Sequence, residues 1–387
     1  MRRTCPTKRF IQGPYMTQFG TKLHAVKASR TTPEENEPEL TFDRLLSNQA
    51  RGIETNFVTD NNLMIEVDRA CETERPATDA TLAELNLLEW VDFLRQCDRR
   101  GLHYGLTPFF AYAEMPAHLA QLRAARLHQF ASKFGLVWRD EEPDPDFSDL
   151  GRTDLTFEGL DEAQQSIVAM SFSALLLMLV VNRDGAGFSP LGKFRRYLRE
   201  YKKRIGTVSL REVVIARYVF ATQAECPGSL DQVRSRIEKN FGRRDGKRPR
   251  DTEEMCAVAL NGAFDLLLFN AMNIADTHGL EGRPLDCWLF TFDGKLKEYN
   301  DLCFNVSAGT GQAGLFTHIT THAATSDYWL QTGNELHTFA VAGSQRALLH
   351  RMQRAIGIDD SDQILAKIAA LPGKARAIIE LAKTGLA

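Results

Sequence analysis

Two short β-forming runs end on an aspartate and pass at once into a helix pattern, and this constrains the fold more than any other feature. The first run is Asn56, Phe57, Val58 and Thr59. It ends in Asp60-Asn61-Asn62, and the helix formers Leu63 to Val67 follow. The second is Cys287, Trp288, Leu289 and Phe290, ending Thr291-Phe292-Asp293, with Gly294, Lys295 and a helix from Leu296 to Leu302 behind it. A strand that feeds directly into a helix is the unit of an α/β sheet with parallel strands. Such sheets place their ligands outside the carboxyl ends of the strands, where both aspartates fall. The competing reading for each is a helix cap or a turn former.

The rest of the chain divides around these runs. Residues 1–45 read as an irregular N-terminal arm, punctuated by Pro6, Pro14, Pro33 and Pro38 and acidic from Thr31 to Glu39. Residues 46–135 form the first part of the α/β core. They hold a helix over Leu63–Ala70, a single helix over Thr81–Arg100 and a strand over Leu102–Leu106. A helix then opens at Thr107-Pro108, carries Glu114 and kinks or restarts at Pro116 before ending at Gly135. Residues 136–250 read as a helical, basic insertion entered through the acidic, proline-bearing loop Asp140–Asp149. Ser209 and Glu212 have the spacing of a capping box there. Residues 251–305 return to the core through a long helix, Thr252 to about Ala275. Residues 306–387 form a C-terminal extension, helical from about Glu335 and interrupted near Gly357 and Gly373.

Composition narrows the classes. With 387 residues, 43% hydrophobic and 25% charged, the chain has the make-up of a soluble globular protein. Its seven cysteines are an odd number without a C-x-x-C pair, which argues against a disulfide framework or zinc knuckle and for a reducing, cytoplasmic setting. Met1–Tyr15 has no apolar segment of a secretory signal. The most apolar run, Ile167–Val181, is short for a membrane span and reads as a buried core helix, so no membrane is expected. His318 and His322 stand four apart, but Ile319 to Thr321 favour a strand, so no metal pair is expected. Gly309-Thr310-Gly311 lacks the Lys-Ser/Thr of a phosphate loop.

Four acids stand out by context. Asp60 and Asp293 end strands, Glu114 opens a helix just after a short strand, and Asp265 lies on the helix that runs toward the Asp293 strand. Asp265 is mid-helix unless Gly262 breaks that helix. In order and local context the series resembles the PIN-domain nucleases. It reads Val58-Thr59-Asp60-Asn61-Asn62-Leu63, then Thr107 to Glu114, then Asp265-Leu266-Leu267-Leu268, then Thr291-Phe292-Asp293-Gly294-Lys295-Leu296.

The resemblance covers pieces from about 53 to 135 and 252 to 303. It implies a PIN-like parallel sheet flanked by helices, here with a helical insertion and a helical C-terminal extension. It implies a Mg²⁺- or Mn²⁺-dependent hydrolase of phosphodiester bonds, an endoribonuclease acting on RNA more than DNA. Asp60, Glu114, Asp265 and Asp293 would be its metal ligands and catalytic acids, with Asn62 and Thr291 supporting them. A bacterial toxin or phage-defence role, an inhibitory protein partner and homo-oligomers also fall within it. Hard cations take carboxylate and water oxygens, which suits this set. Two departures stand against the resemblance: the insertion separates the second block from the third in a family whose members are usually compact, and Lys295 occupies the place where many members have a second acid. Glu212 competes with Glu114 for the glutamate role.

Basic residues concentrate in the insertion although the whole chain carries a net charge of -3. Lys193, Arg195, Arg196, Arg199, Lys202, Lys203 and Arg204 crowd one helix, and Lys239, Arg243, Arg244, Lys247, Arg248 and Arg250 crowd a loop. Positive charge so placed fits a phosphate backbone. Phe194, Tyr197 and Tyr201 are interleaved with the first patch, to stack bases or to face the core. The loop reads as a flexible clamp. A catalytically inactive PIN-like nucleic-acid-binding module and a helical regulatory scaffold are the competing functions.

Overall fold

The computed structural model describes residues 18–20, 22–28, 39–137, 151, 154–206, 209–244, 246–279, 283–305, 318–319, 326–355 and 366–386. The loops expected at 31–38 and 140–149, the arm before residue 18, Gly309–Gly311, His322 and Gly357 lie outside them.

A mixed five-stranded sheet forms the centre, flanked by helices. Its strands are β1 (Gln18–Phe19), β2 (Leu23–Val26), β3 (Glu54–Thr59), β4 (Gly105–Thr107) and β5 (Leu285–Thr291), in the order β1-β2-β5-β3-β4. β3 runs parallel to both β5 and β4, whereas β2 pairs antiparallel with β5 and with β1. The arm is therefore not irregular throughout. Leu23, Ala25 and Val26 supply the buried apolar surface of β2, a strand held between β1 and β5. A two-residue pair, β6 (Phe304–Asn305) and β7 (His318–Ile319), stands apart from the main sheet.

The helices are α1 (Phe42–Ala50), α2 (Asn61–Ala70), α3 (Asp79–Glu84), α4 (Leu88–Arg99), α5 (Phe109–Ala113), α6 (Ala117–Phe134) and α7 (Glu162–Asp184). They continue with α8 (Pro190–Arg204), α9 (Leu210–Phe220), α10 (Ser229–Phe241), α11 (Thr252–His278), α12 (Gly294–Asp301), α13 (Asp327–Ala355) and α14 (Leu371–Thr384). The single helix expected over Thr81–Arg100 is two, because Asn86 takes a left-handed φ of 58° between α3 and α4. Gly262 does not interrupt α11, and Gly373 lies inside α14. The strand expected at Leu102–Leu106 is shorter and later, Gly105–Thr107.

Side-chain alternation along the strands builds two cores. Phe57, Trp288 and Phe290 face one side, where they meet Leu63, Met64 and Val67 of α2, Trp90 and Phe93 of α4, and Phe130 of α6. Phe57 and Phe290 pack edge-to-face at 5.0 Å. Val26, Val58, Cys287 and Leu289 face the other side, toward α7, α9, α11 and α14. The helices of the 136–250 segment thus share a core with the sheet. α7 is apolar on every side from Ala174 to Val181, and that whole stretch is buried. A helix without a polar face must be enclosed. α7 and α11 are each long and apolar enough to cross a membrane, yet they pack along each other inside the fold.

A buried ion cluster ties the opposite end of β5. Asp286 receives two bonds from Arg44, Nε at 2.8 Å and Nη2 at 2.6 Å, and further bonds from Asn48 and from the Trp288 indole. Lys27 Nζ bridges Asp286 at 2.9 Å and Asp276 of α11 at 2.6 Å. Burial alone would raise Asp286, but the hydrogen bonds and charge of Arg44 and Lys27 outweigh it and hold the carboxyl far below its usual range. Three segments distant in sequence, α1, Lys27 after β2 and the end of α11, are fixed to β5 in this way.

Candidate functional site

The carboxyl ends of β3 and β5 lie side by side, since the two strands are parallel and in direct register. Asp60 follows β3 and is the N-cap of α2. Its Oδ1 accepts the Leu63 amide at 2.8 Å. Its Oδ2 accepts the Thr291 hydroxyl, and Asn62 Nδ2 approaches the same oxygen at 3.5 Å, a weak contact. Thr291 in turn accepts the Asp293 amide at 2.8 Å. Its hydroxyl thus joins the two strand-end aspartates and orients Asp60. Asp293 caps α12 by accepting the Lys295 amide at 2.8 Å.

Capping accounts for Asp60 and Asp293 as local structure. It does not account for Asp265. That residue sits in the middle of α11, half-buried, and among the described residues its carboxylate makes no hydrogen bond and no ion pair. The α11 helix lies against the sheet face that carries Val58 and Leu289. Asp60 and Thr291, each two positions farther along its strand, point to that same face by strand alternation.

The three charges act on one another. Asp265 is pushed up to about 7, first by burial, then by the charges of Asp293 and Asp60, with Lys295 partly offsetting them. Asp60, only 3% exposed, is pushed up to about 6, first by burial, against its hydrogen bonds from Thr291, Leu63 and Asn62 and with added repulsion from Asp293. The contrast with other enclosed acids is sharp. Asp286, Asp276 and Glu238 each meet one or more cations and Glu212 meets two hydroxyls, whereas none of Asp60, Asp265 and Asp293 forms an ion pair among the described residues and Asp265 has no hydrogen bond there either.

The two glutamate candidates have different settings. Glu114 does not open a helix. It closes the short α5, which packs against β3 and α2. Glu212 is fully buried in α9, where it accepts the hydroxyls of Ser171 and Ser209, and its charge bears on Tyr197, Tyr201 and Tyr299. It serves the helical layer.

The basic patches are altered by packing. Phe194, Tyr197 and Tyr201 are completely enclosed and present no face to a base. Arg195 pairs with Glu335 at 2.9 Å, and Arg196 lies over the Phe188 ring at 5.2 Å. Arg199, Lys202 and Lys203 are exposed and make no ion pair among the described residues. The expected clamp is anchored: Arg243, Arg248 and Arg234 converge on Glu238, whose side chain is 4% exposed. Arg244 and Lys247 stay exposed on a tight turn, bonded to each other through their backbones.

His24 is the residue that sequence reasoning missed. It lies on β2 directly opposite Thr291. Burial lowers its proton affinity first, then Lys297, against Asp301 and Asp293. The alternation Leu23, His24, Ala25, Val26 was the available signal for that strand. Thr59, immediately before Asp60, is fully buried, and its hydroxyl oxygen has no hydrogen-bond partner.

The donor chemistry of the three aspartates suits a hard divalent cation, with carboxylate oxygens and no thiolate. Among the described residues no three His, Cys, Asp or Glu side chains already converge in ligating geometry. Unneutralised carboxylates that repel one another are expected to stand apart. No protein-family model, curated protein or solved structure matches the chain.

Proposed function

We propose that the protein is a divalent-cation-dependent nuclease, acting on RNA in preference to DNA, with a PIN-like arrangement of acids at the sheet edge. Asp265 carries this reading. A mid-helix carboxylate that caps nothing, pairs with nothing among the described residues and is repelled by two neighbours has no structural role to justify its cost. A cation would remove that cost.

Asp60, Asp265 and Asp293 would hold Mg²⁺ or Mn²⁺. A bound cation of this kind neutralises charge on a phosphodiester and lowers the pKa of a coordinated water. The protein's own groups supply orientation. Thr291 and the Leu63 amide each use one lone pair of Asp60, and a carboxylate has about four to offer. Asp265, free of hydrogen bonds among the described residues, retains the rotamer freedom to approach the other two. Arg199, Lys202, Lys203, Arg244 and Lys247 are exposed cations that would receive the phosphate backbone.

The experiment is cleavage of labelled RNA and of labelled single-stranded DNA, with Mn²⁺ or with EDTA. The expected result is RNA cleavage that EDTA, Asp60→Asn and Asp265→Asn each abolish. Cleavage that persists in EDTA, or in Asp265→Asn, would refute the reading. One feature favours a second reading, a nucleic-acid-binding module without catalysis. Lys295 stands two residues after Asp293, and its charge offsets that of Asp265. Tight RNA binding with no cleavage under any cation would select it.

A further inference from the structure

β2 brings a nitrogen donor to the acidic edge. His24 and Thr291 are register partners on adjacent antiparallel strands. Val26 and Leu289, two positions back on each strand, pack in the core beneath α11, so His24 and Thr291 share that face with Asp60. Directly opposed residues on one face have Cβ atoms about 5 Å apart. The Thr291 hydroxyl is already bonded to Asp60, so the imidazole stands about one side chain from that carboxylate.

The ring also meets the turn that carries Asp293. A Cβ placed on Gly294 would lie 3.7 Å from His24 Nε2, so the imidazole rests against the backbone between Asp293 and Lys295. Its other nitrogen, Nδ1, is buried and has no hydrogen-bond partner. A buried ring nitrogen without a partner is uncommon, because leaving it unmet costs about 1–3 kcal/mol. Here it occurs at the edge where Asp60, Asp265 and Asp293 form no ion pair among the described residues, with Lys297, Asp301 and Asp293 the charges that act on the ring.

We propose that His24 is the nitrogen ligand of this site: one ring nitrogen joins Asp60, Asp265 and Asp293 around a divalent cation, and the mixed set selects Mn²⁺ over Mg²⁺. This rests on the cation site proposed above. Mg²⁺ demands near-ideal octahedral oxygen coordination and gives up its waters reluctantly. Imidazole raises affinity for the first-row transition ions much more than for Mg²⁺. An all-carboxylate site would lack that bias.

The test uses the full chain loaded with Mn²⁺ and reads the metal directly. Pulsed electron paramagnetic resonance of bound Mn²⁺ is expected to show a ¹⁴N coupling from a ligated imidazole. His24→Gln is expected to abolish that coupling and weaken Mn²⁺ binding by about tenfold or more. Mg²⁺ binding, measured by competition calorimetry, is expected to change far less. The spectrum of the unaltered protein needs no variant, so a His24→Gln chain that folds poorly does not spare the proposal. Mn²⁺ that binds, is lost in Asp265→Asn and shows no ¹⁴N coupling overturns the role of His24 and leaves the carboxylate site standing. Absence of any Mn²⁺ binding overturns both.

Discussion

Replacing Asp265 with asparagine should stabilise the cation-free protein at neutral pH and leave it unchanged in acid. Raising a carboxyl from 3.8 to about 7 corresponds to ~4 kcal/mol of penalty for ionising it in the folded state, at 1.36 kcal/mol per pK unit. Asp265 is only half-buried, so solvent screening reduces the expected effect to ~2 kcal/mol. The sign follows from proton linkage. Below about pH 4 the group is protonated in both states and contributes nothing. Between there and pH ~7 the unfolded chain releases a proton that the folded chain keeps, so wild-type stability falls as pH rises. Asparagine has no such term. Denaturant unfolding in EDTA should therefore give curves for Asp265→Asn and wild type that coincide near pH 4 and separate in the variant's favour by pH 7.5. Added Mn²⁺ should close the gap by stabilising the wild type alone. A variant that is less stable than wild type at pH 7.5 in EDTA would refute the mutual repulsion of the three carboxylates, and with it the case for a cation there.

Three further outcomes are expected. Asp286→Asn should cost about 1.5–3 kcal/mol, because it removes the carboxylate partner of Arg44 and one of the two carboxylates on the buried Lys27, which keeps Asp276. Asp286 is held below its usual range, so its contribution is present above about pH 4 and lost in acid, and the gap between variant and wild type should narrow on acid denaturation. Lys202→Glu with Lys203→Glu should weaken RNA binding, flatten the slope of log affinity against log salt by roughly two, and leave the melting temperature unchanged. Gly279→Ala should destabilise by ~2 kcal/mol or more on thermal unfolding. Gly279 ends α11 at a φ of +70°, and an added Cβ would collide with the backbone carbonyl oxygen of Arg283, just ahead of β5.

The local signals were sound where short-range physics decides. β-branched and aromatic residues made β3 and β5, the aspartates after them capped the next helices, and the unbroken apolar run of α7 announced an enclosed helix. Those features depend on neighbours a few residues away, so they can be read along the chain. The pairing of parallel strands is different. β3 and β5 are separated by more than half the chain, and only their hydrogen-bonded register puts Asp60 beside Thr291 and Asp293. The same holds for His24, whose place is set by Thr291, a strand partner far along the chain. Tertiary packing also reassigned residues whose local pattern was ambiguous. It enclosed Tyr197 and Tyr201, folded Arg243 and Arg248 onto Glu238, and turned Glu212 inward to two serines. An amphipathic or charged side chain offers two faces to its surroundings, and only the element that packs against it determines which one is buried.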